Sequence, residues 1–297
     1  MVNIRDKLLE RLGKTGEVSG YLGNGAAPQP TVTSTQAAQK LVQRAEARRY
    51  EPLEADFVFD TTGSMSLVID KVRSHIEQIG SELLGTEKSL EGRVIGVGDH
   101  CDARDLQYAG VTILGDYGQD NPVTKDMREL KNQISRIVNT SGGDTPEAYE
   151  CMAYDLAARI RGDKTAHPNK KHVVVFFGDA SPHGAKVGGD NGCPYQRGPQ
   201  QLAVLVAMAD HTYFVECGSG QFEEHTYGAV QGSPKATLIH YQQARQVLPE
   251  SIIGMVKLIQ GPEVLQQYLA LLGGNKAQAV AGLLTAGNPG ALNKFRK

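Results

Sequence analysis

Three stretches of this 297-residue chain place oxygen-bearing side chains at spacings that suit chemistry. In FVFDTTGSMS (57–66) an apolar run ends on Asp60, and Thr62 and Ser64 follow at alternate positions. In SGGDTPEAYE (141–150) a Gly-Gly turn precedes Asp144, Thr145 and Pro146, and VVVFFGDASPHG (173–184) ends an apolar run on Asp179. A hard cation such as Mg²⁺ takes oxygen ligands in an octahedron. A D-x-[ST]-x-S loop can aim one carboxylate and two hydroxyls at one point. Neutral hydroxyl ligands leave the ion short of negative charge, so it takes a further anionic oxygen from outside. The acid–hydroxyl loop, the threonine loop and the strand-end aspartate together compose a three-loop cation site.

Each stretch also has a plainer reading. Asp60 can terminate a strand while Thr62 or Ser64 caps the next helix, and Thr145 before Pro146 suits an N-cap followed by proline at the first helical position. An isolated DTTGS favours the cap; three such loops in one chain favour the cation. A nucleophilic aspartate of the haloacid-dehalogenase kind wants a second acid two residues on, where this chain has Thr62. GDHCD (98–102) satisfies the G-D-x-x-D fragment of dinuclear metallophosphoesterases, without the D-x-H before it or the G-N-H after it. That leaves a metal-dependent hydrolase using Asp60, Asp99 or Asp179 as the competing class. His100, Cys101 and Asp102, with His183, Asp190 and Cys193, offer a zinc-type set of irregular spacing. No GxxxxGK[ST] occurs, and no GxGxxG follows a strand-like run.

The elements that would position these loops alternate. Strand-like runs are LEADFVFD (53–60), RVIGVGD (93–99), QYAGVTIL (107–114), HVVVFFGD (172–179), HTYFVECG (211–218) and ATLIHY (236–241). Helical periodicity fits 64–84, 124–138, 146–161 and 199–209. Strands apolar on both faces and separated by helices predict an α/β, doubly wound, mostly parallel sheet with helices on both faces. The short polar link between the second and third runs predicts an antiparallel hairpin with one strand at the sheet edge. Ligands of such sheets bind at the carboxyl ends of the strands, which selects Asp60, Asp99 and Asp179.

Residues 1–50 read as a helical arm and a Gly/Pro/Ser/Thr-rich linker, residues 51–260 as the α/β domain, and residues 261–297 as a helical extension with two Leu- and Ala-rich helices. A formal net charge of −2 gives no overall pull toward nucleic acid or anionic membrane. The longest apolar runs fall far short of the roughly 20 residues of a membrane helix. Cys101, Cys151, Cys193 and Cys217 contain no CxxC pair, which suits reduced thiols and a cytoplasmic location.

DTTGSM, GGDTPEA and FFGDASPH, in this order and spacing, resemble the von Willebrand factor A domain with its metal-ion-dependent adhesion site. The resemblance covers about 53–260, roughly two-thirds of the chain. It implies a doubly wound sheet with one antiparallel edge strand and a bound Mg²⁺ (or Mn²⁺). Asp60, Thr62 and Ser64 match the D-x-S-x-S motif, with Thr62 in place of the usual serine; Thr145 matches the second-loop threonine and Asp179 the third-loop aspartate. It further implies a binding module rather than an enzyme, in which an Asp or Glu of a partner protein completes the coordination. The motifs are similar to those of intracellular bacterial versions, often encoded beside kinases, phosphatases or ATPases. Two features depart from the core pattern: the glycine-rich loop after Asp179, expected to overhang the metal face, and Asp144, an added carboxylate beside Thr145.

Overall fold

The computed structural model describes residues 52–86, 90–108, 112–218 and 220–287. The arm expected over residues 1–50 lies outside them. In chain order the elements are β1 (Leu53–Asp60), α1 (Ile69–Thr86), β2 (Leu90–Val97), α2 (Ala103–Tyr108), β3 (Ile113–Leu114), β4 (Gly118–Gln119), α3 (Met127–Arg136) and α4 (Tyr149–Ala166). They continue with β5 (Lys171–Gly178), α5 (Gln200–Met208), β6 (His211–Glu216), β7 (Ala236–His240), α6 (Tyr241–Ala244), α7 (Leu248–Gln260), α8 (Pro262–Leu272) and α9 (Gly274–Gly287).

The seven strands form one sheet in the order β3-β4-β2-β1-β5-β6-β7. β2, β1, β5, β6 and β7 are parallel neighbours, and β4 runs antiparallel between β2 and β3. This is the doubly wound architecture expected from the alternating runs. Because side chains alternate along a strand, β1 sends Phe57 and Phe59 to one face and Val58 to the other. The first face adds Val94, Val175, Phe177 and Val215 and is covered by α1, α3 and α7. The second adds Ile95, Val174, Phe176 and Phe214 and is covered by α4 and α5. Each fully buried aliphatic or aromatic side chain here stabilises the fold by about 1.5–3 kcal/mol. Leu265 and Tyr268 of α8 and Val280 and Leu284 of α9 join the first cluster, so these helices pack on the sheet's own core.

Three local expectations are corrected. The antiparallel hairpin is β3–β4, not the second run with the third. After β2, the Asp99 side chain accepts from His100 N (2.6 Å) and Asp102 Oδ2 accepts from Asp99 N (2.8 Å). This reciprocal cap nucleates a 3-10 turn (His100–Asp102) leading into α2, so the segment after 99 coils where a hairpin turn was expected. The helix expected from Pro146 starts at Tyr149, and its N-cap position, Ala148, makes no side-chain cap. The reason is tertiary: Glu147 N donates to Ser181 O (2.9 Å) and Ala148 N to Gly98 O (3.0 Å), which tie the segment to its neighbours before the helix begins. Thr62, likewise, makes no side-chain cap. By contrast α3 begins as its sequence dictates, with Asp126 accepting from Arg128 N (2.8 Å).

Candidate metal centre

β1 and β5 are adjacent and parallel, with Phe59 in register with Phe177. Their carboxyl ends therefore deliver Asp60 and Asp179 side by side at the same end of the sheet. Asp60 is fully buried. Its Oδ1 accepts from Thr62 N (2.7 Å) and Thr62 Oγ1 (2.6 Å), and its Oδ2 accepts from the Tyr149 hydroxyl. Ser64 Oγ donates to Asp179 Oδ1 at 2.9 Å and lies 3.3 Å from Thr62 Oγ1. The hydroxyl that might have capped a helix is thus turned back onto the carboxylate.

Above Asp60 lies a cavity of about 310 Å³ lined by Thr62, Ser64, Asp144, Thr145, Glu147 and Asp179, among others. Four of the five expected ligands line it and the fifth, Asp60, lies beneath. Asp99, the third strand-end aspartate, does not line it. Its carboxylate is taken by His100 N and by His183 Nε2 (2.9 Å). Two glycines permit the close packing around these groups. Gly142 has φ +69°, the left-handed region that favours glycine, and packs against Thr62. A Cβ on Gly218 would lie 2.5 Å from that of Asp179, so only glycine lets β6's end approach so closely.

The acids here are crowded. Burial, then the charge of Asp179, pushes Asp60 up to about 7. Burial raises Asp179 too. Burial, with Asp60 and Asp99 nearby, pushes Glu147 up to about 11. No lysine or arginine lines the cavity. Glu147 Oε2 and Asp144 Oδ1 are buried with no hydrogen-bond partner. An all-oxygen donor set of carboxylates and hydroxyls, with orphaned carboxylate oxygens and no internal cation, fits a hard divalent ion.

The glycine-rich loop after Asp179 does reach this cavity. A Cβ on Gly189 would lie 3.4 Å from Thr145 Oγ1, and Asn191 N donates to Asp144 Oδ2 at 2.9 Å. Glu147 and Tyr149 escaped the sequence reading, although both fall inside GGDTPEAYE. A tyrosine at the start of a helix looks like core, and only the fold aims its hydroxyl at Asp60.

The zinc-type set expected from His100, Cys101, Asp102, His183, Asp190 and Cys193 does not assemble. Cys101 Sγ points at Asp99 Oδ2 (3.3 Å), and His183 is held between Asp99 and Asp190 (Nδ1 to Asp190 Oδ1, 3.1 Å). His100 and Cys193 instead converge with Glu150 and Cys151.

No family model matches the chain, and no curated protein matches it. Among solved structures, it is similar to the pilus adhesin SpaC from Lactobacillus rhamnosus GG in its open conformation, at a TM-score of 0.50 and 11% identity. The match covers 73% of this chain and 30% of the adhesin, so the chain spans under a third of that protein's length. A second crystal form of the adhesin gives a TM-score of 0.49, also at 11% identity, covering 73% of this chain and 31% of the adhesin. At this identity the likeness concerns the fold alone. Among the described residues, no helix is long and apolar enough to cross a membrane.

Proposed function

We propose that this chain is a binding module of the von Willebrand factor A type, a cytoplasmic adaptor or scaffold whose contact with its partner depends on Mg²⁺ or Mn²⁺. The observation that carries the reading is the convergence of Thr62, Ser64, Thr145 and Asp179 on one cavity, over a buried Asp60, with no basic side chain in its lining. When bound, the ion supplies a positive centre to which an Asp or Glu of a partner protein attaches. Asp60 and Asp179 hold negative charge at the carboxyl end of the sheet, and Thr62, Ser64 and Thr145 add neutral oxygens that leave the centre net attractive to an acid. Tyr149 orients Asp60 through its second oxygen. The loop after Asp179 borders the mouth and selects among partners. A kinase, phosphatase or ATPase is the proposed class of partner, and neither nucleic acid nor membrane is required. The binding domain is residues 51–260, with residues 1–50 and 261–297 on either side.

Calorimetric titration with Mg²⁺ and Mn²⁺ tests the assignment. Wild type binds one ion, and Asp60→Ala and Thr145→Ala bind more weakly or not at all. Equal binding by all three proteins rejects the site. A phosphate-ester hydrolysis assay separates the reading from its enzymatic rival: turnover that disappears in Asp60→Ala establishes a hydrolase, and its absence supports the module.

A further inference from the structure

We propose a second metal site, a structural Zn²⁺ held tetrahedrally by His100 Nε2, a Glu150 carboxylate oxygen, Cys151 Sγ and Cys193 Sγ. One ligand atom from each residue lies within 4.8 Å of all the others. The four come from three places in the chain: His100 from the turn after β2, Glu150 and Cys151 from the first turn of α4, and Cys193 from the glycine-rich loop after β5. Their types are those zinc prefers, one imidazole, two thiolates and a carboxylate.

The distances fit a tetrahedron. With Zn–N and Zn–O bonds of about 2.0–2.1 Å, a tetrahedral edge between nitrogen and oxygen is about 3.4 Å. His100 Nε2 and Glu150 Oε1 are 3.4 Å apart. Two sulfurs at Zn–S of about 2.3 Å would be about 3.8 Å apart. Cys151 and Cys193 Sγ lie at 3.3 Å, well beyond the roughly 2.05 Å of a disulfide and within a small side-chain rotation of the zinc geometry.

The groups around the four ligands are also arranged for a metal. His100 Nδ1 meets Asp116 Oδ1 at 2.8 Å, which places the ring proton on Nδ1 and leaves the Nε2 lone pair facing the cluster. Glu150 is fully buried, and its other oxygen accepts from His183 N (3.1 Å). Two thiolates and a carboxylate against a dication leave one negative charge, and the Arg197 guanidinium is close enough to attract the Cys151 thiolate. Without a cation, burial and Glu150 push the Cys151 thiol well up, so zinc binding releases thiol protons to solvent. An imidazolium bridging Asp116 and Glu150 would account for His100 but not for two converging sulfurs.

The consequence is mechanical. Cys193 lies two residues from Asn191, which bonds Asp144, and four from Gly189, which packs on Thr145. Zinc would pin the glycine-rich loop to α4 and so fix the wall of the oxygen-lined cavity. The zinc site does not depend on the Mg²⁺ reading.

The test uses the full chain purified under reducing conditions from zinc-supplemented cells. Elemental analysis should find about one zinc per chain, with loss in Cys151→Ser and Cys193→Ser, while Asp116→Asn weakens zinc affinity by about 10–100-fold. Should the cysteine variants fail to fold, Co²⁺ exchanged into wild type gives the readout: thiolate-to-cobalt charge transfer with intense tetrahedral ligand-field bands. Wild type without zinc, zinc content unchanged in both cysteine variants, or an octahedral cobalt spectrum overturns the proposal. So does a Cys151–Cys193 disulfide, detected as resistance to alkylation and a mass lower by two hydrogens.

Discussion

The two ends of the central sheet handle buried acids in opposite ways. Toward the amino ends of the strands, the fully buried Arg93 contacts Asp56 (2.5 Å), Asp120 (3.5 Å) and Glu54 (3.9 Å). Lys170 Nζ lies 2.5 Å from Glu54, 2.8 Å from Glu91 and 3.0 Å from Asp163. At the carboxyl ends, Glu147 and Asp179 face a cavity with no basic residue in its lining, and Asp60 is buried beside them. One end carries its counter-charges in the sequence; the other must take them up as protons or as an ion. The larger cavity, about 540 Å³, lies at the compensated end and is lined by Arg159 and Lys170 as well as by acids. Size therefore does not mark the site. Uncompensated charge does.

The largest expected effect breaks the compensated end. Arg93→Ala leaves the buried Asp56 without a cation, while Glu54 keeps Lys170 and Asp120 keeps Arg159, and urea unfolding should show a loss of about 3–5 kcal/mol. A loss below about 1 kcal/mol would mean that the two ends do not differ in kind.

A somewhat smaller effect depends on pH. His211, at the start of β6, is held at about 4 by burial and by Lys235. The folded chain keeps it neutral while the unfolded chain protonates it near 6.5. Its stabilising contribution is complete above 6.5 and is lost as pH falls toward 4. About 3 kcal/mol should disappear across that window. His211→Gln should flatten this part of the stability–pH curve, while its amide keeps a partner for Thr237 Oγ1, now 2.9 Å from the imidazole.

The smallest effect belongs to the uncompensated end. In chelator at pH 8, Asp60→Asn should lie within about 1 kcal/mol of wild type, or above it, since it removes a buried, repelled charge. Wild type at a hundred times Kd of Mg²⁺ should gain about 2.7 kcal/mol, and the variant should gain none. Loss of several kcal/mol in chelator would show that Asp60 serves the fold before it serves an ion.

Much of this was legible in the chain. Runs such as HVVVFFGD are apolar at consecutive positions because both faces of the sheet are covered, and their alternation with helical periodicity gives the architecture. Asp60 and Asp179 were legible because a buried strand in such a sheet can present a charged side chain only at its end. The edge hairpin was misplaced because the Asp99–Asp102 cap converts a hydrophobic alternation into helix. The helix start at 146 was misread because Glu147 and Ala148 give their N–H groups to Ser181 and Gly98, partners that no local window contains.

The sequence by itself determined where the strands end and which oxygens stand there, since strand periodicity and burial act over a few neighbouring residues. Tertiary structure alone decided which of these groups meet. Asp60 found Tyr149 rather than a helix cap, Asp99 was drawn to His183, and Cys193 crossed forty-two positions to reach Cys151. Such pairings follow from strand order and loop path, and the distances that govern charge and coordination are set in space rather than along the chain.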